Sequence, residues 1–201
     1  MHSPRHVYLA SRSLRRRELL KQIGVGFELL LLRETVGRPS DVDEGVHAGE
    51  DPAAYVQRLA QEKGEIAWLR VCQRRLMRHP VLAADTTVDL NGEILAKPVD
   101  RDDAVSMLKR LSGRTHRVHT AIAIVLDRHV ETALSSTTVV FGELDEDEIQ
   151  QYVASGDSMD KAGAYGIQGR AGAYVKSMSG SYTGVVGLPL YETDQLLRRF
   201  A

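Results

Sequence analysis

The sequence predicts an α/β fold built on a mixed sheet, and three observations carry that reading. Runs with strand-like and helix-like apolar spacing mix along all 201 residues. Asn91-Gly92 and Asp127-Arg128 each join two apolar runs, so part of the sheet is antiparallel. Hydrophobic residues make up 43% of the chain, enough for a sizeable core in one large domain or two small lobes.

The elements follow in order. HVYLA (6–10) is a short strand. Ser13 caps a helix from about Leu14 to Ile23, and Gly24 stops it. FELLLLR (27–33) returns as a strand, and residues 34–50 form a polar loop. Asp51 as N-cap and Pro52 at the first helical position open a long amphipathic helix over 51–78. VLAADTTVDL (81–90) is a strand leading into the Asn91-Gly92 hairpin. A helix over 101–113 ends at Gly113. Two long strands, 115–127 and 130–144, flank Asp127-Arg128. DEDEIQQYVAS (145–155) is a helix with acids in its first turn, where the dipole favours them. The Gly-rich stretch 157–187 is part loop and part strand, and 188–200 closes as a helix. The chain shows no internal repeat and no low-complexity linker.

Composition narrows the function classes. Lys plus Arg number 26 against 27 Asp plus Glu, which argues against a bulk nucleic-acid binder. A local basic site on a neutral background reads instead as a pocket for a small anion. Cys72 is the single cysteine, so an internal disulfide is impossible and a reducing, cytoplasmic setting is expected. The N-terminal segment lacks a signal-peptide h-region, and no apolar run is long enough for a bilayer. His116 and His119 share a strand at a spacing that puts them on opposite faces, against a paired metal site.

Four features carry possible chemistry. Arg12, Arg15, Arg16 and Arg17 crowd the start of the first helix with Ser11, where unpaired N–H groups and the helix dipole favour an anion. The alternative is a solvated basic face. Asp43 and Glu44, read alone, belong to a solvated loop. Asp85 interrupts an apolar strand, where a carboxylate is costly unless paired or metal-bound; it is either a general base or metal ligand, or it faces water from an edge strand. Lys63 on the long helix reads by default as an exposed cation, and Lys97 before Pro98 is extended. Together, basic groups at a helix start suit a polyphosphate, and two or three carboxylates suit Mg²⁺ or Mn²⁺.

The blocks LASRSLRRRELL, DVDE, RLAQEK, AADTTV, AKP and DKAGAYGIQG stand in the order of the Maf family of nucleoside triphosphate pyrophosphatases, which this chain resembles over nearly its whole length. The resemblance implies one domain over 1–201. It implies an elongated, twisted mixed β-sheet flanked by helices, with two lobes and a central cleft (Maf/inosine triphosphatase-like). The branch it points to hydrolyses dTTP and UTP to the monophosphate and pyrophosphate with a divalent cation, Mg²⁺ or Mn²⁺. It further implies a homodimer and a nucleoside triphosphate as partner. Asp85 then falls on the proton acceptor. Arg15, Thr86 and Gln168 fall on positions linked to substrate choice. Ser11, Arg16, Lys63 and Lys97 fall on other substrate-site blocks, and Glu44 joins Asp85 at the metal.

Two departures stand out. Leu14 replaces the family's usual proline, a change that keeps the helix start at modest cost. The loop before DVDE carries ETVGRPS as an insertion. Arg12 and Arg17 are expected to face solvent. Two other readings stay open. One is a branch acting on 7-methyl-GTP, which carries an acid at the position of Gln168. The other is a nucleotide-binding regulator of cell division without turnover.

Overall fold

The computed structural model describes residues 6–33 and 40–200; most of the ETVGRPS insertion lies outside them. A seven-stranded mixed sheet runs β2-β1-β3-β5-β6-β7, with β4 also on β3. β1 (His6–Leu9), β2 (Gly26–Leu29) and β3 (Val81–Leu90) are parallel neighbours, with β1 between the other two. β4 (Glu93–Leu95), β5 (Thr115–Leu126), β6 (His129–Phe141) and β7 (Val175–Ser179) add antiparallel ladders. The expected mixed α/β sheet is therefore observed.

The helices follow local chemistry. α1 (Leu14–Gln22) starts behind Ser13, whose hydroxyl accepts from the Arg16 amide. Leu14 takes the first helical position with its side chain in water, so the missing proline costs no packing. α2 (Pro52–Gln73) is capped by Asp51, which accepts from the Ala53 and Ala54 amides. It stops earlier than its apolar spacing suggests. Arg75 turns left-handed at φ 51, and the Leu76 amide bonds back to Val71, a Schellman-type end built on a non-glycine residue. α3 (Arg101–Leu111) and α4 (Glu146–Ala154) pack together beside the far end of the sheet.

The Gly-rich stretch hides a helix that sequence spacing missed. α5 (Tyr182–Val186) is capped by Ser181, which accepts from the Gly184 amide, and ends at Gly187 with φ 122. Five residues are too few to show a 3.6-residue period. α6 (Leu190–Leu197) closes the chain as expected.

Two main cores lie at opposite ends of the long strands. One packs Leu82, Ala84 and Ile122 against α1 and α6; the other packs Val88, Leu90 and Val118 against α3 and α4. β3 and β5 contribute to both and so tie two lobes into one sheet.

The edge of β3 carries the main consequence for function. β1 pairs with it only as far as Leu82, and β4 joins only from Val88. Between those points one edge of β3 has no neighbour among the described residues. β5 covers the opposite edge throughout. The edge-strand reading of Asp85 thus needs correction: β3 is interior, but locally half-bare.

α2 lies against the sheet through small residues. A Cβ on Gly64 would sit 2.9 Å from Val125 Cγ2 and 3.5 Å from Ala123 Cβ. This close approach brings the preceding residue, Lys63, down to β3. Gly64→Val should therefore lift the helix. Overpacking of this kind costs about 1–3 kcal/mol. A urea midpoint equal to the parent protein's would contradict that packing argument.

Candidate active site

The gap in the sheet opens into a cleft of about 780 Å³ between the lobes. Ser11, Arg15, Arg16, Glu44, Lys63, Asp85, Thr86, Lys97 and Gln168 all line it, although they come from six separate stretches of chain. Asp43 does not. Asp85 and Thr86 are consecutive on β3, so their side chains leave opposite faces of the sheet. Both still reach the cleft, because the bare edge exposes both faces at once.

On one face Lys63 is held by two carboxylates. Its Nζ lies 2.6 Å from Asp85 Oδ1 and 2.7 Å from Glu44 Oε1. Only 16% of the Lys63 side chain and 15% of that of Asp85 are exposed, which corrects the default reading of Lys63 as a solvated cation. Burial alone would lower the Lys63 ammonium, but Asp85 and Glu44 outweigh it and hold it above its usual range. Burial would likewise raise Glu44, and the charge and hydrogen bond of Lys63 bring it below its usual range. Asp85 Oδ2 makes no hydrogen bond among the described residues.

The loop bearing Glu44 is fastened to α2. Arg58 pairs with Glu50 at 2.7 Å and donates to the carbonyls of Asp43 and Gly45, on either side of Glu44. The Tyr55 hydroxyl donates to the carbonyl of Glu44 itself. Glu44 is therefore held at the cleft while its loop stays exposed, so the solvated-loop reading fits Asp43 and is incomplete for Glu44.

On the other face Arg16 is the centre. Its guanidinium donates to Gly187 O at 2.7 Å, to Ser11 Oγ at 3.1 Å and to Thr86 Oγ1 at 3.2 Å. Thr120 spends its proton on Gly184 O, so Thr86 must donate to Thr120 and accept from Arg16. All three partners are neutral, and among the described residues no carboxylate comes within ion-pair distance of Arg16. Burial lowers this guanidinium from its usual value, against the pull of Asp85. The result is a fixed, uncompensated positive charge. Ser11 accepts from Arg16 and from the Ser13 amide, which leaves its O–H free to donate to a ligand.

Arg15 reaches across the cleft mouth to Asp160, 3.3 Å away. Lys97 is exposed on the cleft wall, and Gln168 is exposed at the tip of a turn. Arg12 lines the cleft and donates to Leu32 O, so solvent is not its only neighbour. Arg17 is half-buried and donates to Arg12 O, correcting the expectation that it faces water. The arginine run thus divides into a half-buried anchor, a cleft-mouth charge and loop braces.

Sequence reasoning missed Asp160, Lys161, Tyr165 and Gly187, all of which line the cleft. Two of them open the DKAG run, which was legible as a block but gave no role. His116 and His119 serve separate partners: His116 Nε2 meets the Tyr165 hydroxyl at 2.8 Å, and His119 meets Asp89 and Ser136. Burial brings His116 down to about 4, so the ring is neutral at pH 7.

The donor set fits a hard divalent cation. Asp85 and Glu44 converge on one cationic group, and Mg²⁺ commonly takes one or two carboxylates and completes its shell with phosphate oxygens and water. Among the described residues no group of three or more His, Cys, Asp or Glu forms a complete protein cage, so phosphate ligands would be needed.

These features define a two-lobed α/β protein with a cleft lined by basic side chains at a break in its sheet. Comparison with known proteins gives the family. Residues 6–200 match the model described as Maf-like protein. A dTTP/UTP pyrophosphatase of Dechloromonas aromatica (strain RCB) is 55% identical over 193 residues, 96% of each chain. One of Nitrosomonas europaea (strain ATCC 19718 / CIP 103999 / KCTC 2705 / NBRC 14298) is 54% identical over 191 residues, 95% of this chain and 92% of the relative. The chain belongs to the Maf family, as its six ordered blocks suggested. Among solved structures, the Staphylococcus aureus Ham1 protein superposes with a TM-score of 0.55 at 16% identity, over 98% of this chain and all of that one. That likeness concerns the fold alone.

The Lys63 ion pairs have a defined pH window. Lys63, raised in the fold, stabilises fully below its usual 10.5 and loses this as pH rises through the folded value. Glu44, lowered in the fold, stabilises fully above its usual 4.5 and loses this as pH falls through the folded value. Lys63→Met should therefore destabilise by about 1–3 kcal/mol, less than a fully buried pair because the cleft admits water. The deficit should be flat from pH 6 to 9 and shrink as Glu44 protonates in acid. Urea midpoints across pH test this; a deficit that grows in acid would contradict it.

Proposed function

We propose that this protein hydrolyses UTP and dTTP to the monophosphate and pyrophosphate, acting as one domain over 1–201. The observation that carries the reading is the cleft's charge. Among the described residues, seven basic side chains line it against three acidic ones, Glu44, Asp85 and Asp160, in a chain whose net charge is −1. Such local excess has no purpose in a neutral-ligand pocket and suits a triphosphate. The names of the relatives point the same way.

The residues divide the work. Arg16, preset by three neutral acceptors, and the free O–H of Ser11 would bind phosphate oxygens at the start of α1. Arg15 and Lys97 would neutralise the remaining charge from either wall. Positioning and charge neutralisation are the main requirements of phosphoryl transfer. Asp85 would orient a water through Oδ2 and take its proton, while Lys63 holds Oδ1 still. Glu44 and Asp85 would hold the divalent cation, which supplies charge neutralisation at the reacting phosphate. Thr86 would act through Arg16, whose seat it forms. This machinery favours an enzyme over a regulator without turnover, since pure binding has no use for a base held at a half-bare strand. A cytoplasmic setting is supported by the lone Cys72 and by the absence, among the described residues, of any helix long and apolar enough to cross a membrane. A homodimer rests on the family resemblance.

Gln168 would read the base. Its carboxamide offers a donor and an acceptor side by side, matching O4 and N3–H of uracil or thymine. The acid of the 7-methyl-GTP branch is absent here. A neutral amide has no particular attraction for a cationic methylated guanine.

Release of pyrophosphate, and not phosphate, from UTP with Mg²⁺ tests the reaction. Phosphate seen only after adding inorganic pyrophosphatase supports it, and no product at all supports the regulator. Asp85→Asn should lower kcat by about 10²–10⁴-fold with the fold intact. A variant keeping more than a tenth of the parent turnover would remove Asp85 from the mechanism. Gln168→Glu should lose UTP, because a carboxylate cannot donate to O4 and repels it. An unchanged ranking of UTP, dTTP, CTP and GTP would exclude Gln168 as the reader.

A further inference from the structure

Gln168 is exposed, so something other than its own packing must hold it in place. It stands at the third position of a tight turn, closed by the Gly169 amide donating to Gly166 O at 3.1 Å. Neither glycine at the turn's corners has a left-handed φ, so backbone freedom is not why they are glycine. Space is the reason. A Cβ on Gly166 would meet Lys161 Cε at 2.5 Å and Cδ at 2.7 Å; a Cβ on Gly169 would meet Asp157 Oδ2 at 2.8 Å. The turn is seated directly on the Lys161 stem and the Asp157 carboxylate.

These two residues are themselves bonded. The Lys161 ammonium donates to the Asp157 main-chain carbonyl, to Asp157 Oδ1 at 3.0 Å and to Asp160 Oδ1 at 2.6 Å. An ammonium has three protons, so this set exhausts its donors. Only 10% of the side chain is exposed, although it lines the cleft. Asp160 uses its second oxygen on Arg15 across the cleft mouth. The Gly166 amide is tied separately, to the Tyr152 hydroxyl.

We propose that Lys161 is a positioning residue for base selection: its ammonium and stem form the platform on which the Gly166–Gly169 turn presents Gln168, and Asp160 links that platform to the phosphate-side Arg15. Lys161 is a strong phosphate candidate by type, but its donors are spent within the protein. Its effect passes through Gln168 and so falls on discrimination between bases. The inference rests on Gln168 reading the base.

The test measures kcat/KM for UTP and CTP in the full-length protein and in three variants. Lys161→Met keeps the stem and removes the ammonium. Gly166→Ala keeps every charge and pushes the turn off the stem. Gln168→Ala removes the reader. Misplacing a positioned group by about 1 Å can cost about 10²-fold, so Lys161→Met and Gly166→Ala should each lower the UTP-to-CTP ratio by at least about tenfold. Most of that change should be a higher KM for UTP. Gly166→Ala alone carries the test if Lys161→Met does not fold by circular dichroism. Equal losses on UTP and CTP, or a ratio within about twofold of the parent, would overturn the inference while Gln168→Ala still changes the ratio. If Gln168→Ala leaves the ratio unchanged, the base-reading role itself fails, and the platform with it.

Discussion

The site depends on a stretch of bare strand edge. β1 leaves β3 at Leu82 and β4 takes it up at Val88, while β5 pairs throughout. An interior strand normally hides its backbone on both edges and its side chains on both faces. Here the far edge keeps Asp85 and Thr86 rigid, and the near edge opens both faces to one cavity. A carboxylate and an arginine seat can then occupy adjacent residues without sharing a face. Neither a fully paired strand nor a true edge strand offers that combination of rigidity and access.

Two opposite electrostatic designs meet across this edge. On the α2 face, charge is compensated: Lys63 answers Asp85 and Glu44, and Arg58 and Tyr55 hold the Glu44 loop by its carbonyls. On the α1 face, charge is left uncompensated: Arg16 is bound only by neutral oxygens. Removing charges from water is costly in both cases. The first design meets the cost with counter-charges, and the second retains a charge that a phosphate would answer. The polarity of the cleft follows from this difference and not from net composition, which is close to neutral.

The small residues explain how such a site stays ordered. Gly64 lets α2 approach the sheet, and Gly166 and Gly169 let a turn rest on Lys161 and Asp157. In each case a missing Cβ converts into a short distance between charged or catalytic-type groups. A stable scaffold and a precise site are here the same packing problem, since displacing α2 would also displace Lys63.

Much was determined by the sequence alone. Strand and helix spacing, caps such as Asp51 and Ser13, and the Asn91-Gly92 hairpin are local properties, and they specified the element order and the mixed sheet. Six short blocks in a fixed order pointed to the family and to nine cleft residues. Tertiary structure decided what local pattern cannot carry. Lys63 looked like an exposed cation because its partners lie 19 residues before it and 22 after it in the chain. Asp85 could not be told from an edge residue because the open edge is set by where β1 ends and β4 begins. The five-residue α5 was too short to have a period, and Arg75 ended α2 with a conformation that its residue type does not announce. Lys161 was visible within its block, but its platform role exists only where its stem fills the space of the side chain absent from Gly166. Short-range chemistry is written along the chain; compensation of charge and exclusion of volume arise between segments, and only the folded arrangement sets them.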